Sequence, residues 1–255
     1  MRRSGWDDAF AVEAMEAVLS GRLDEISAER HRAAGAPADG PGPDLGRAPT
    51  DIDVEGHRVQ VLSVLQRPRV VVFGSLLSHS ECDRVMQAAQ PRLARSETVD
   101  TDTGGSEVNA ARTSDGMFFA RGETELIARI ERRIALLLRW PVERGEGLQV
   151  LRYRPGAEYR PHHDYFDPSR PGTAAVLQRG GQRVGTLVVY LGTPEGGGAT
   201  TFPDVGFEVA PVKGNAVFFA YDRPHPSTLT LHGGAPVLAG EKWVATKWLR
   251  ESRFE

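Results

Sequence analysis

The sequence predicts a mainly β fold with flanking helices, a small sandwich or jelly roll rather than a doubly wound parallel sheet. Three observations carry that expectation. After Trp140, short runs rich in Val, Ile, Phe, Tyr and Trp recur, separated by glycine and proline turns. Every long helical pattern lies before Trp140. Glycine, at 28, and proline, at 17, are high for a helical bundle and fit a strand-rich body with many turns. The 255 residues are 40% hydrophobic, enough for a core in one large domain, or in one domain with a small extension.

Taken in order, residues 6–34 read as a helix, with Trp6, Phe10, Met15, Val18, Leu19 and Ile26 on one stripe interrupted by Gly21. This helix either packs on the main body or meets a partner, which makes it a candidate homodimer contact. The Gly/Pro-rich stretch 33–50 reads as a flexible linker, so the chain divides into 1–50 and a main domain, 51–255. Residues 59–65 and 69–73 are strand candidates. A helix capped by Ser78, His79 or Ser80 runs to about Ala89, with Ser80 and Asp83 offering a capping box. Residues 123–139 form a second helix, whose apolar face is Leu126, Ile127, Ile130, Ile134, Leu137 and Leu138. The remaining strand candidates are 148–154, 184–191, 207–209, 216–220, 227–231 and 243–248.

Charge narrows the function classes. Lys plus Arg is 31 against 34 Asp plus Glu, a net −3, so no basic excess points to nucleic acid or an anionic membrane, although a local patch is compatible with it. No apolar run reaches the length of a membrane span or reads as a signal peptide. The single cysteine, Cys82, excludes an internal disulfide and a multi-thiolate metal site, and reads as core. A reducing, cytoplasmic setting is the expectation. Gly196, Gly197 and Gly198 lack the frame of a phosphate-binding loop and read as a tight turn.

The sharpest chemical feature is RPHHDYF, residues 160–166. On a strand, His162 and Asp164 share a face, and an imidazole nitrogen and a carboxylate oxygen can then meet one cation; His163 points the other way. A third ligand must come from elsewhere, and His225 and His232 are the candidates. Two histidines and a carboxylate make the facial triad of a non-haem Fe(II) oxygenase. Lys242 lies ten residues after His232 in EKWVATKWLR, flanked by tryptophans. A lysine buried there needs an anionic partner, which an iron-chelating dicarboxylate would supply; a lysine snorkelling to the surface is the plainer alternative.

Four strings extend this pattern: LQVLRYRPGAEYRPHHDYF, GGQRVGTLVVYLGTPEGGGATTFP, KGNAVFFAYD and LHGGAPVLAGEKWVATKWLR. With them, the stretch from Pro68 to Arg250 resembles the prolyl 4-hydroxylase-like branch of the 2-oxoglutarate and Fe(II)-dependent dioxygenases. The resemblance implies a double-stranded β-helix core of the cupin-like jelly-roll kind. It implies Fe(II) held by His162, Asp164 and His232, and 2-oxoglutarate paired with Lys242, these four forming the catalytic set. Tyr153 and Thr200 resemble residues around the remote carboxylate of 2-oxoglutarate. Tyr159 resembles an aromatic residue near iron and substrate. Arg183 and Trp248 resemble peptide-contacting residues, with packing or a salt bridge as the plainer alternative. Ala157 and Ala235 depart from the glutamine and cysteine common at those positions.

The implied reaction consumes O2 and 2-oxoglutarate, releases succinate and CO2, and hydroxylates an unactivated C–H, with ascorbate as the expected reductant. The leading substrate is C4 of a proline in a peptide or protein. The rivals are a hydroxylase of a free amino acid or small biosynthetic metabolite, and a cupin-like binding protein without turnover. A nucleic-acid demethylase fits less well, for want of a basic surface.

Overall fold

A computed structural model describes residues 40–96 and 112–255, with residue 18 and the backbone of 98–99 and 106–107 besides. Apart from residue 18, the N-terminal helix and the linker up to residue 39 lie outside the described residues. Residues 40–43, also assigned to the linker, are buried: Gly42 N–H donates to Leu138 O at 2.8 Å.

The chain forms Asp51–Val54 (β1), His57–Leu65 (β2), Arg69–Gly74 (β3), His79–Ala89 (α1), Ala94–Arg95 (β4), Thr98–Val99 (β5), Ser106–Glu107 (β6), Asp115–Phe119 (β7), Glu125–Leu138 (α2), Leu148–Tyr153 (β8) and Tyr159–His162 (β9). It continues with Thr173–Leu177 (α3), Arg183–Gly192 (β10), Gly196–Gly197 (β11), Thr200–Phe202 (β12), Phe207–Val209 (β13), Ala216–Ala220 (β14), His232–Gly234 (β15), Val237–Ala239 (β16) and Lys242–Arg250 (β17). Nine strands make one sheet, ordered β1-β2-β3-β14-β10-β17-β8-β7-β4; a second sheet runs β13-β12-β15-β9. The expected mainly β jelly roll with flanking helices is what forms.

Strand periodicity gives the large sheet two buried faces. Val71 and Phe73 of β3, with Ala216 and Phe218 of β14, face α1 and α2 in one core. Their alternates Val70, Val72, Val217 and Phe219 join Phe202 and Val209 of the small sheet in a second core. Cys82, on α1, is fully buried in the first core, as expected. Among the described residues no helix is long and apolar enough to cross a membrane.

Four local expectations are corrected. The capping box of α1 is Ser78 with Glu81, not Ser80 with Asp83; Ser78 Oγ accepts from Glu81 N–H at 3.2 Å, and Glu81 accepts from Ser78 N–H at 2.9 Å. Glu81 wins because it also takes a bidentate bond from Arg133 of α2, at 2.9 and 3.0 Å. Residues 227–231 are not a strand: Pro226–Thr228 is a 3-10 turn that His225 caps, and Leu229 sits at φ 55°. Helices do not stop at Trp140, because α3 and several 3-10 turns follow. Gly196 and Gly197, read as part of a tight turn, form β11, which pairs with β16.

Candidate active site

The register of the small sheet assembles a triad. β15 pairs with β9 so that His232 lies opposite His162. β9 ends at His162, so Asp164 is not on the strand as the spacing suggested; the chain beyond it nevertheless brings the carboxylate to both imidazoles. His162 Nε2 lies 3.5 Å from Asp164 Oδ1, and His232 Nε2 lies 3.4 Å from Oδ2. Ligand atoms of all three residues fall within 4.8 Å of one another. The close pairing depends on Gly233, where a Cβ would stand 2.9 Å from Tyr159 O.

Both rings are oriented through their far nitrogens. His162 Nδ1 meets Arg160 O, and His232 Nδ1 meets Thr230 O, each at 2.9 Å. A carbonyl only accepts, so both Nδ1 atoms carry the proton and both Nε2 lone pairs converge beside the carboxylate. Burial opposes ionisation of Asp164, but the adjacent imidazoles hold its carboxyl well below the usual range. Burial, followed by the proximity of His232, lowers the His162 pKa. Thr186 of β10 donates to Asp164 Oδ2 at 2.7 Å. Its one proton is thereby committed, so the Tyr221 hydroxyl, 3.0 Å away, donates to Thr186. Lone pairs and a carboxylate facing one another in a buried space fit a divalent cation.

Behind the triad lies an inner pocket of about 450 Å³, open solvent included, lined by both sheets. β17 gives it Lys242, Val244, Thr246 and Trp248, alternate residues on one face. Lys242 is only 4% exposed. Its Nζ lies 5.5 Å from the ring centroid of Tyr153, its register partner on β8. Burial alone pulls its pKa down from 10.5 to about 8. Thr200, which accepts from Tyr190 Oη at 2.8 Å, lines the same pocket. A buried amine with no carboxylate beside it among the described residues suits a small ligand bearing an anionic end.

The triad opens outward into a cleft of about 1910 Å³, solvent included. Tyr159 stacks on His162 with ring centroids 3.7 Å apart, and burial raises its hydroxyl pKa to about 12. Arg183 forks onto Glu146 at 2.7 and 3.0 Å and lies 4.0 Å from the Trp248 ring centroid. Arg183 and Trp248 both line the cleft, with the guanidinium already paired and the buried Trp248 Nε1–H without a partner among the described residues.

The 2OG-Fe(II) oxygenase superfamily profile matches residues 148–250. Prolyl 4-hydroxylase 5 of Arabidopsis thaliana is 38% identical over 225 residues, covering 80% of this chain and 76% of that protein. The chain belongs to the prolyl 4-hydroxylase family of 2OG-Fe(II) oxygenases. Prolyl 4-hydroxylase 1 of the same plant is 40% identical over 229 residues, covering 82% and 79%. The solved viral collagen prolyl hydroxylase of Paramecium bursaria Chlorella virus-1, in complex with 2OG, is 32% identical, with a TM-score of 0.54 over 71% of this chain and 95% of that one. As a family member, this chain is an Fe(II)- and 2-oxoglutarate-dependent dioxygenase.

All the residues given a metal, keto-acid or substrate role from the sequence gather at this site; the alternative ligand His225 does not, and caps its own 3-10 turn through Ser227 N–H at 3.1 Å. His163 turns away from the triad and stacks on Tyr165. Sequence reasoning missed Thr186, Tyr221, Glu146 and Arg112. Arg112 lies 4.9 Å over the Tyr159 ring and donates to Gln149 at 2.8 Å. Tyr221 follows the apolar run of β14, and Glu146 precedes β8; a polar group at the end of a buried strand was the available signal in both.

Proposed function

We propose that this dioxygenase hydroxylates C4 of proline within a peptide or protein. The observation that carries the reading is a triad of buried Asp164 and His232 with half-buried His162, standing between a small inner pocket and a wide outer cleft; a free amino acid would need only a closed chamber. The relatives' names, prolyl 4-hydroxylases and a collagen prolyl hydroxylase, support it. His162, Asp164 and His232 would hold Fe(II), and Lys242, with Tyr153 and Thr200, would receive the far carboxylate of 2-oxoglutarate. When bound, the metal and the keto acid supply oxidation of an unactivated C–H by dioxygen, with release of succinate and CO2.

The protein's own contribution is positional. The backbone carbonyls of Arg160 and Thr230 hold the imidazoles in the ligating tautomer. Thr186 leaves one carboxylate oxygen of Asp164 engaged and the other free for the metal. Tyr159, Arg183 and Trp248 form the wall against which the substrate ring would rest. No acid–base residue is required for the C–H step, and ascorbate would keep the iron reduced.

The test is incubation of the enzyme with Fe(II), 2-oxoglutarate and ascorbate, together with proline-containing peptides or free amino acids. The expected product is a peptide heavier by about one oxygen atom, with fragmentation placing the oxygen on proline. His162→Ala, Asp164→Ala and His232→Ala should each abolish turnover. Arg183→Ala and Trp248→Ala should weaken peptide turnover while leaving 2-oxoglutarate binding intact. Oxidation of free amino acids alone, with every peptide untouched, would refute the peptidyl assignment.

A further inference from the structure

We propose that Gln182 is a positioning residue for the metal site: its carboxamide seats the loop that carries Asp164, in place of the strand pairing that the loop lacks. The proposal rests on Asp164 as a metal ligand, as read above, and is independent of the substrate. β9 ends at His162, opposite His232. The ladder therefore fixes both histidines and stops two residues short of the carboxylate. The histidines take their places from main-chain register, and Asp164 needs another support.

That support comes from the segment that opens β10. Gln182, 8% exposed, immediately precedes the strand. Its Oε1 accepts from Phe166 N–H and its Nε2 donates to Phe166 O, each at 2.8 Å. One side chain thus engages both polar backbone groups of one residue, as a facing residue does in an antiparallel ladder. The partners fix which way the carboxamide lies: Oε1 also accepts from Arg183 N–H at 3.0 Å, and turning the group over would set its NH2 against two N–H donors. The Gln182 backbone is itself held by Glu251, whose carboxylate accepts from Gln182 N–H at 2.7 Å and whose N–H donates to Gln182 O at 2.9 Å. Arg183 adds a longer bond from Nη1 to Asp164 O, at 3.3 Å, and lays its guanidinium 4.7 Å from the Phe166 ring centroid. Thr186, through Asp164 Oδ2, sets which way the carboxylate faces. The Gln182 fork, two residues further on, sets where the loop backbone stands. With the fork in place the carboxylate meets the metal already seated. Without it, binding must first order the loop, which lowers affinity although no ligand has changed.

The test uses Co(II) as the probe. Gln182→Met keeps the length of the side chain and removes the fork; Gln182→Asn keeps the amide and falls one methylene short. Each should raise the Co(II) Kd about tenfold or more and shift the visible d–d bands, because the carboxylate no longer meets the ion at one angle. In the metal-free protein, hydrogen exchange at the Phe166 amide should quicken about tenfold, the worth of one hydrogen bond. Glu81→Gln is the control for stability alone. Its partners are Ser78, Arg129 and Arg133, so it weakens the fold and should leave the Co(II) Kd and spectrum unchanged. A Co(II) Kd and spectrum matching the wild type in Gln182→Met, or in Gln182→Asn if only that variant folds, overturns the inference. An equal loss of affinity in Glu81→Gln overturns it too, since stability alone would then account for the effect. Should neither Gln182 variant fold, the wild type decides: a Phe166 amide exchanging as fast as in an unstructured peptide means that the fork is not made, and a protected one that it is. Co(II) binding undiminished in Asp164→Ala overturns the ligand assignment beneath the proposal, an outcome distinct from the others.

Discussion

Replacing Lys242 by methionine should make the ligand-free protein more stable while removing its response to 2-oxoglutarate. The amine is buried, and among the described residues no acidic side chain offsets its desolvation, which pulls its pKa down from 10.5 to about 8. At about 1.4 kcal/mol per pH unit, holding it charged in the fold costs about 3 kcal/mol at pH 7. The sign follows from proton counts. Between pH 8 and 10.5 the unfolded chain binds more protons at this site than the folded one, so the wild type gains stability as pH rises through that window. The penalty is complete below about pH 8 and gone above about pH 10.5. Methionine has a similar length, carries no charge and escapes the penalty. Lys242→Met should thus add about 3 kcal/mol at pH 7, or roughly 8 °C in Tm for a chain of this size. By about pH 9.5 the gain should fall to half or less.

Thermal and denaturant unfolding of both proteins across about pH 7–10.5, without metal or keto acid, measures this. Adding Fe(II) and 2-oxoglutarate reverses the comparison: at about one thousand times its Kd the ligand stabilises the wild type by about 4.1 kcal/mol, and the variant gains nothing from the keto acid. A Lys242→Met protein less stable than wild type at pH 7, or a gain that does not change with pH, would refute the reasoning. Either result would mean that an anionic group of the protein itself compensates the lysine.

Further outcomes follow from neighbouring contacts. Thr186→Val removes the donor to Asp164 and should weaken Fe(II) or Co(II) binding about 10- to 100-fold in anaerobic titrations, with Thr186→Ser restoring most of it. Gly233→Ala places a Cβ against Tyr159 O and should separate β15 from β9, reducing metal affinity as well as stability. Glu81→Gln strands Arg133 in the interface between α1 and α2 and should cost about 3–5 kcal/mol in denaturant unfolding. Burial works against the Glu81 carboxylate, but Arg133 and Ser78 hold its pKa at about 2. Its share of stability should therefore be complete above about pH 4.5 and be lost as pH falls toward 2; an acid unfolding profile unchanged in the variant would contradict this.

The metal site was legible because part of it is local. His162 and Asp164 are two residues apart, and their chemistry can be read from spacing, although the strand stops short of carrying both. His232 and Lys242 were legible through the strings around them; the sequence alone left His225 open. Thr186 and Tyr221 were not, because their contact requires β10 and β14 to be neighbours, and nothing local to either residue fixes that pairing. The expected strand at 227–231 had the right alternation of Thr and Leu. Pro226 and the His225 cap decided the conformation instead, a local bond outweighing a pattern. The capping box went to Ser78 rather than Ser80 for a tertiary reason: Arg133, on the other helix, rewards the glutamate of one box and not the aspartate of the other.

The same dependence on pairing explains why β17 carries two buried lysines. Its even-numbered residues from Lys242 to Trp248 face the pocket, whereas Trp243, Ala245 and Leu249 enter the helix-side core. A slip of one residue would exchange these sets and present Trp243 where the keto acid should meet Lys242. Apolar burial resists the slip weakly, because both faces of the strand are buried. Lys247 resists it strongly. It lies on the helix side, bonded to Glu131 of α2 and to the backbone oxygen of Glu146. Displacing it would leave Glu131, itself 2% exposed, as an uncompensated charge in the core. The buried ion pair on one face of β17 thus holds the register that aims the lysine on the other, and the two lysines differ in role because, among the described residues, only Lys247 has an acid within reach.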